Sequence, residues 1–169
     1  MGIGRQIAEA LLASEYRVTI LDIDEKALGA TVDELNSASR TAVFGIPCDV
    51  GDERQVERAI DQARKRNGAA DVLVNNAAVA VGGKPLHETE IDRWDLVIHT
   101  NLRSVFLVSR AVLPRMVERR SGTIVNIAST QGHLGFDGWS AYAAAKGGIL
   151  SLTRQMANEF GPLGIRVNS

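Results

Sequence analysis

A single cysteine, Cys48, leaves no partner for an internal disulfide, and its plainest role is that of a small buried hydrophobe. Charge of one sign is lacking too. With 19 basic and 20 acidic side chains the net charge is −1, so no long-range field would draw the chain to nucleic acid or to an anionic membrane. No apolar run reaches the length of a membrane span, and no basic-then-apolar leader is present. Met1-Gly2 could open a myristoylation signal, but Gln6 stands where that signal wants Ser or Thr. His87, His99 and His133 share no ligand spacing with cysteine or acids, which argues against a metal site. Repeats, linkers and low-complexity tracts are absent as well. These absences leave a globular, cytoplasmic protein whose partner is a small-molecule substrate, with no nucleic acid and no membrane.

At 169 residues the chain suits one domain, able to bury about 70% of its extended surface. Its periodicity alternates between strand and helix. Ile7, Ala8, Leu11 and Leu12 recur at helical spacing, followed by a predicted strand at Arg17–Leu21 that ends in Asp22. A helix over Glu25–Asn36, a strand over Ala42–Ile46 and a charged amphipathic helix over Glu53–Lys65, closed by Asn67-Gly68, come next. Asp71–Val74 reads as a buried strand entering Asn75-Asn76-Ala77-Ala78, and Val79–Thr89 as a loop. Thr89 to about Glu118 reads as a long helical region broken near Thr100. Thr123–Ala128 reads as a strand with Ser129 at its carboxyl end, the Tyr142 helix runs to about Phe160, and a last strand begins at Ile165. Such alternation implies an α/β fold with a doubly wound parallel sheet.

Tyr142 and Lys146 lie four apart in an Ala-rich helical segment, so they leave the same helix face. A phenol with its ordinary pKa of about 10 is a poor base at neutral pH. An ammonium about 4 Å away, at an effective dielectric of about 20, favours the phenolate by roughly 4 kcal/mol. That would fit Tyr142 for acid/base work, while the Ser129 hydroxyl, thirteen residues earlier, holds a carbonyl or carbinol oxygen. A Tyr and a Lys at this spacing are usually a surface pair; the added serine at a strand end makes chance much less attractive. Gly2 and Gly4 open the first helix, and Asp22 follows eighteen residues later at a strand end, as in a dinucleotide fingerprint. A carboxylate there accepts from ribose hydroxyls and repels a 2′-phosphate, which favours NAD over NADP; Arg5 is the nearby cation that could oppose this. Read without further context, Asp49 is a helix cap, Asn75-Asn76 a turn and Asn101 a helix-breaking polar residue. Gln131, His133, Phe136 and Trp139 could line a substrate pocket or merely fill a loop.

With Gly2-Ile3-Gly4, Asp22, Asp49-Val50, Asn75-Asn76-Ala77-Ala78, Asn101, Ser129, Tyr142-x-x-x-Lys146 and Arg166-Val167-Asn168 in order, nearly the whole chain resembles the short-chain dehydrogenase/reductase family. Ala78 and Glu15 stand where that family usually has Gly. The resemblance implies a Rossmann-like domain over 1–169 and a secondary alcohol/ketone oxidoreductase using NAD, with NADP less favoured. It implies Asn101, Ser129, Tyr142 and Lys146 as the catalytic set. Gly2, Ile3, Gly4, Asp22, Asp49, Val50, Asn76, Tyr142 and Lys146 would hold the cofactor. It also implies that the first, central strand and the C-terminal lid and last strand of the family's fold lie outside this sequence, as in a fragment of a protein of about 250 residues. A homodimer or homotetramer is expected through the Tyr142 helix and the preceding long helix, whose Leu102, Val105, Phe106, Val108 and Val112 spread apolar surface over more than one face. The alternative is a dinucleotide-binding module or inactive fragment that kept the fold without the chemistry.

Overall fold

Gly2, at φ 106°, turns the chain into the first helix, α1 (Ile3–Ala13), in a conformation that a residue with a Cβ rarely adopts. The computed structural model describes residues 2–38 and 42–169, which gather into two compact units, Met1–Ala69 and Ala70–Ser169.

In the first unit α1 is followed by β1 (Val18–Asp22), α2 (Glu25–Ala38), β2 (Val43–Pro47) and α3 (Glu53–Asn67). β1 and β2 pair in parallel from Val18↔Val43 to Asp22↔Pro47, with the helix between them that a parallel crossover requires. Ala8 and Leu12 of α1 pack with Val18, Leu35 and Val43, so the helical spacing read from the sequence does face a core. Gly45 lets α2 close on β2: a Cβ there would stand 2.9 Å from side-chain atoms of Leu28 and Val32. The start of α3 corrects one expectation. Its cap is Asp52, which accepts from Gln55 N at 2.8 Å, while the Gln55 side chain accepts from Asp49 N at 3.0 Å. Asp49 instead makes a turn, its Oδ1 accepting from Gly51 N. Two aspartates precede this helix, and the one three residues before a glutamine completes the reciprocal pair.

The second unit holds β3 (Val72–Asn75), α4 (Ile91–Val97), α5 (Ser104–Arg119), β4 (Gly122–Asn126), α6 (Ser140–Phe160) and β5 (Ile165–Asn168). Its three strands are parallel in the order β3-β4-β5, with Asn75 opposite Asn126. Thus the described strands form two sheets, β1-β2 and β3-β4-β5. The break expected near Thr100 is a π-helical turn, Ile98–Arg103, between α4 and α5. β4 ends at Asn126, short of the expected strand; Ile127 N still donates to Asn75 O, and Ser129 lies three residues beyond, in extended backbone.

The helical stretch Ile91–Arg119 is, by length and composition, apolar enough to cross a membrane, which the sequence reading did not find. Its apolarity serves the core, because Val97, Val105, Leu107, Val108, Val112 and Met116 are buried within the unit. The same burial narrows the surface expected for association. Of the five apolar residues named for it, Val105, Val108 and Val112 are buried, Leu102 is half-buried, and Phe106 remains 52% exposed.

Candidate active site

The second unit gathers its polar side chains around α6. Lys146 is 2% exposed, and its Nζ donates to Ile127 O at 2.6 Å, just past the end of β4. Burial pushes its pKa below the ordinary lysine value. An ammonium has three N–H groups, so two remain for other acceptors. The same Nζ lies 5.6 Å from the centre of the Tyr142 ring, one helical turn back, as the four-residue spacing predicts. Tyr142 is half-buried, with Trp139 edge-on at 5.7 Å between ring centres and an interplanar angle of 74°. Its ring packs in a cluster with Val79, Val81, Trp94 and Leu102 around Val97, Ala141 and Ala145. These contacts leave the phenol little freedom to turn.

Ser129 caps the short 3-10 turn Thr130–Gly132, its Oγ accepting from Gln131 N at 3.2 Å. The acceptor role leaves the hydroxyl proton free to be donated to a bound oxygen. Gly132 brings this turn against α6: a Cβ there would stand 2.9 Å from the Lys146 carbonyl oxygen. Asn101 sits in the π-turn with no exposed surface, and its carboxamide clamps one residue of the loop after β3. Oδ1 accepts from Val79 N at 2.7 Å and Nδ2 donates to Val79 O at 2.9 Å. At this interruption between α4 and α5, Asn101 also fixes the loop that carries Val79 and Val81 to Tyr142. Gly148 lets the π-turn approach, since a Cβ there would meet Leu102 at 2.9 Å.

One set of contacts escaped the sequence reading, which took Asn75 for part of a turn, whereas it is the last residue of β3. Asn75 Nδ2 donates to Ser109 Oγ at 3.1 Å and to Asn126 Oδ1 at 2.8 Å, and Asn126 Nδ2 donates to Thr153 Oγ1 at 2.9 Å. Thr153 in turn donates to Ile149 O, so a polar chain crosses from α5 through two strands to α6. It fixes the strand ends from which Ile127 and Ser129 follow. The signal available in the sequence was an asparagine ending each of two buried strands.

In the first unit the residues expected to hold a dinucleotide are accessible. Gly2 and Ile3 are exposed and Gly4 half-buried at the N-terminus of α1, and nothing lies within 4 Å of where a Gly2 Cβ would be. This is an open helix N-terminus with glycine backbone, the setting that suits a pyrophosphate. Asp22 is exposed at the carboxyl end of β1, with Oδ1 accepting from Asp24 N at 3.0 Å. Arg5 is held by Glu9 at 2.9 Å and Glu34 at 2.5 Å, and these bonds raise its pKa. It therefore does not stand ready for a phosphate. Asp49 and Val50 are half-buried beyond β2, and in the second unit Asn76 is half-buried directly after β3. The residues of the first unit thus fit the pyrophosphate and ribose of a dinucleotide.

The chain matches the short chain dehydrogenase family model over residues 1–169. It is 39% identical to 2-(R)-hydroxypropyl-CoM dehydrogenase of Xanthobacter autotrophicus, across 99% of this chain and 68% of that protein. The same organism's inactive 2-(S)-hydroxypropyl-CoM dehydrogenase 2 is also 39% identical, across 96% and 68%. Among solved structures, a gluconate 5-dehydrogenase from Burkholderia cenocepacia in complex with NADP and tartrate superposes with a TM-score of 0.92 at 34% identity, covering 99% of this chain and 65% of that one. The chain thus spans about two thirds of the length of each.

Proposed function

The chain belongs to the short chain dehydrogenase family, an oxidoreductase family with a Rossmann-like α/β fold, and on that premise we propose that it serves NAD-dependent interconversion of a secondary alcohol and a ketone. The observation that carries this reading is the buried Lys146, tied to Ile127 O and placed beside the confined ring of Tyr142. A bound nicotinamide dinucleotide would supply the acceptor or donor of hydride. Ser129 donates to the substrate oxygen. Tyr142 gives or takes the proton at that oxygen, and the Lys146 ammonium stabilises the phenolate and reaches the nicotinamide ribose with its remaining N–H groups. Asn101 holds the Val79 loop and stands in the proton relay behind Lys146. Gly2, Ile3 and Gly4 receive the pyrophosphate, Asp22 takes the ribose hydroxyls, and Asp49, Val50 and Asn76 flank the remaining parts of the dinucleotide.

The reading is tested by Tyr142→Phe in the full-length protein. Turnover should fall to background while NADH binding persists; undiminished turnover would sink it. A second reading, a dinucleotide-binding module without chemistry, gains support from the relative named as inactive. Tight NADH binding without NADH oxidation across a broad carbonyl panel would favour that module. For the cytoplasmic location, the buried Val97, Val105, Leu107, Val108, Val112 and Met116 of the apolar stretch Ile91–Arg119 favour a core helix over a membrane span.

A further inference from the structure

Beside Tyr142 the second unit has a cleft whose charges the mechanism leaves unused. It opens to solvent, with Lys84, Thr89, Arg93 and Ser140 as its polar lining and Val81 and Ala141 as its apolar wall. Val81 and Ala141 also pack in the cluster that confines the Tyr142 ring, so cleft and phenol share a wall. The walls are firmly pinned. Gly83 N donates to Gly138 O at 2.9 Å, and a Cβ on Gly138 would stand 3.1 Å from the Gly83 and Lys84 nitrogens. A Cβ on Gly82 would lie 2.6 Å from the Trp139 ring.

The charge balance in this cleft is uneven. Lys84 is paired with Glu90 at 3.0 Å, and Arg93 lies near enough to act on the same carboxylate, so two cations share one acid. The Thr89 hydroxyl already donates to Pro85 O, which leaves Arg93 and the Ser140 hydroxyl as donors facing an occupant. Two cations against one acid, with a hydroxyl beside an apolar wall, leave an excess positive charge that suits a carboxylate, which a guanidinium can hold through two parallel bonds.

We propose that this cleft holds a carboxylate on the substrate whose carbinol or carbonyl oxygen Tyr142 engages, so that the protein acts on hydroxy or oxo acids rather than neutral alcohols. The proposal rests on the hydride-transfer reading for the identity of the substrate, but its binding test does not depend on turnover. Trp139 against Gly82 provides the signal. Tryptophan fluorescence of the full-length protein is titrated with lactate, 3-hydroxybutyrate and mandelate and with the methyl ester of each.

At least one acid should bind about tenfold more tightly than its ester, a gap that Arg93→Gln closes and that added salt narrows. Glu90→Gln, which removes the carboxylate competing for Lys84, should tighten acid binding. Equal affinity of acids and esters, binding of neither, or a gap that survives Arg93→Gln would overturn the proposal, as would weaker acid binding in Glu90→Gln. Tyr142→Phe separates the two readings. Loss of acid selectivity with turnover still dependent on Tyr142 removes the cleft proposal alone. Retained selectivity with turnover independent of Tyr142 removes the hydride-transfer reading alone.

Discussion

Two asparagines in this molecule make the same pair of hydrogen bonds in opposite surroundings. In the first unit Asn36, on the exposed side of α2, accepts from Val43 N at 2.8 Å and donates to Val43 O at 3.2 Å. In the second, Asn101 holds Val79 in the same way, with no exposed surface. The contrast extends to the units. Six polar or charged side chains are buried among the described residues, namely Asn101, Ser104, Ser109, Asn126, Lys146 and Thr153, and all belong to the second unit. Polar contacts of the first unit lie largely at its surface, as in Arg5 with Glu9 and Glu34 or Asp61 with Arg64 and Lys65. A buried polar group is costly unless it is bonded, so the second unit tolerates a demand for exact partners that the first avoids. The proposed chemistry lies in the demanding unit, where groups must be held still. The proposed recognition of the dinucleotide draws mainly on accessible backbone and an exposed carboxylate.

The largest expected effect follows from removing the buried clamp. Asn101→Ala strands the Val79 N–H and C=O away from water and leaves a cavity, and should destabilise the protein by about 3 kcal/mol or more. Asn36→Ala lets water replace the lost bonds and should cost about 1 kcal/mol or less. Urea unfolding of both variants checks this, and similar costs would break the comparison between the units.

A smaller effect is expected at the exposed carboxylate. Asp22→Ala should leave stability within about 0.5 kcal/mol and shift the ratio of NADPH to NADH affinity about tenfold toward NADPH. Repulsion of a 2′-phosphate at about 4 Å could reach roughly 4 kcal/mol per unit charge at an effective dielectric of about 20. Asp22 is open to solvent, so screening reduces that figure. Dissociation constants for both cofactors, measured on the full-length protein and the variant, decide the matter; an unchanged ratio would show that Asp22 does not read the ribose.

What could be read from the sequence was what depends on neighbours along the chain. β1 was placed within a residue because Val18-Thr19-Ile20-Leu21 is a β-favouring run bounded by Arg17 and Asp22, and the Tyr142–Lys146 face follows from helical pitch alone. The break near Thr100 was visible because polar Thr100-Asn101 interrupts an apolar helix. Its π geometry was not, since that depends on how the turn packs against Gly148. The Ser109–Asn75–Asn126–Thr153 chain requires the register of β3 on β4 and the rotation of two helices, none of which is local. Arg5 was legible as a cation near the glycines, but its engagement by Glu34, 29 residues away, was not.

The smallest expected effect places the two units on opposite sides of a pH titration. Cys48 of the first unit is 3% exposed, and burial, reinforced by Asp49 and Asp52, pushes its thiol from 9.0 up to about 11. A group whose pKa is raised by folding contributes stability below its unfolded value and loses it as pH rises. With the unfolded value at 9.0, the loss is about 0.4 kcal/mol by pH 9 and about 1.4 kcal/mol by pH 10. Lys146 of the second unit runs the other way, because burial lowers its pKa below 10.5. Its unfavourable contribution is complete below the folded value and disappears as pH rises toward 10.5, so stability grows over that window. Urea unfolding from pH 7 to pH 10 should therefore show Cys48→Ala gaining on the parent protein as pH rises and Lys146→Met falling behind it. Parallel stability curves for Cys48→Ala and the parent would mean that the thiol titrates alike in the folded and unfolded chain. A Lys146→Met curve parallel to the parent would mean that the ammonium is not destabilised by its burial, and the contrast between an apolar first core and a polar second one would lose its electrostatic support.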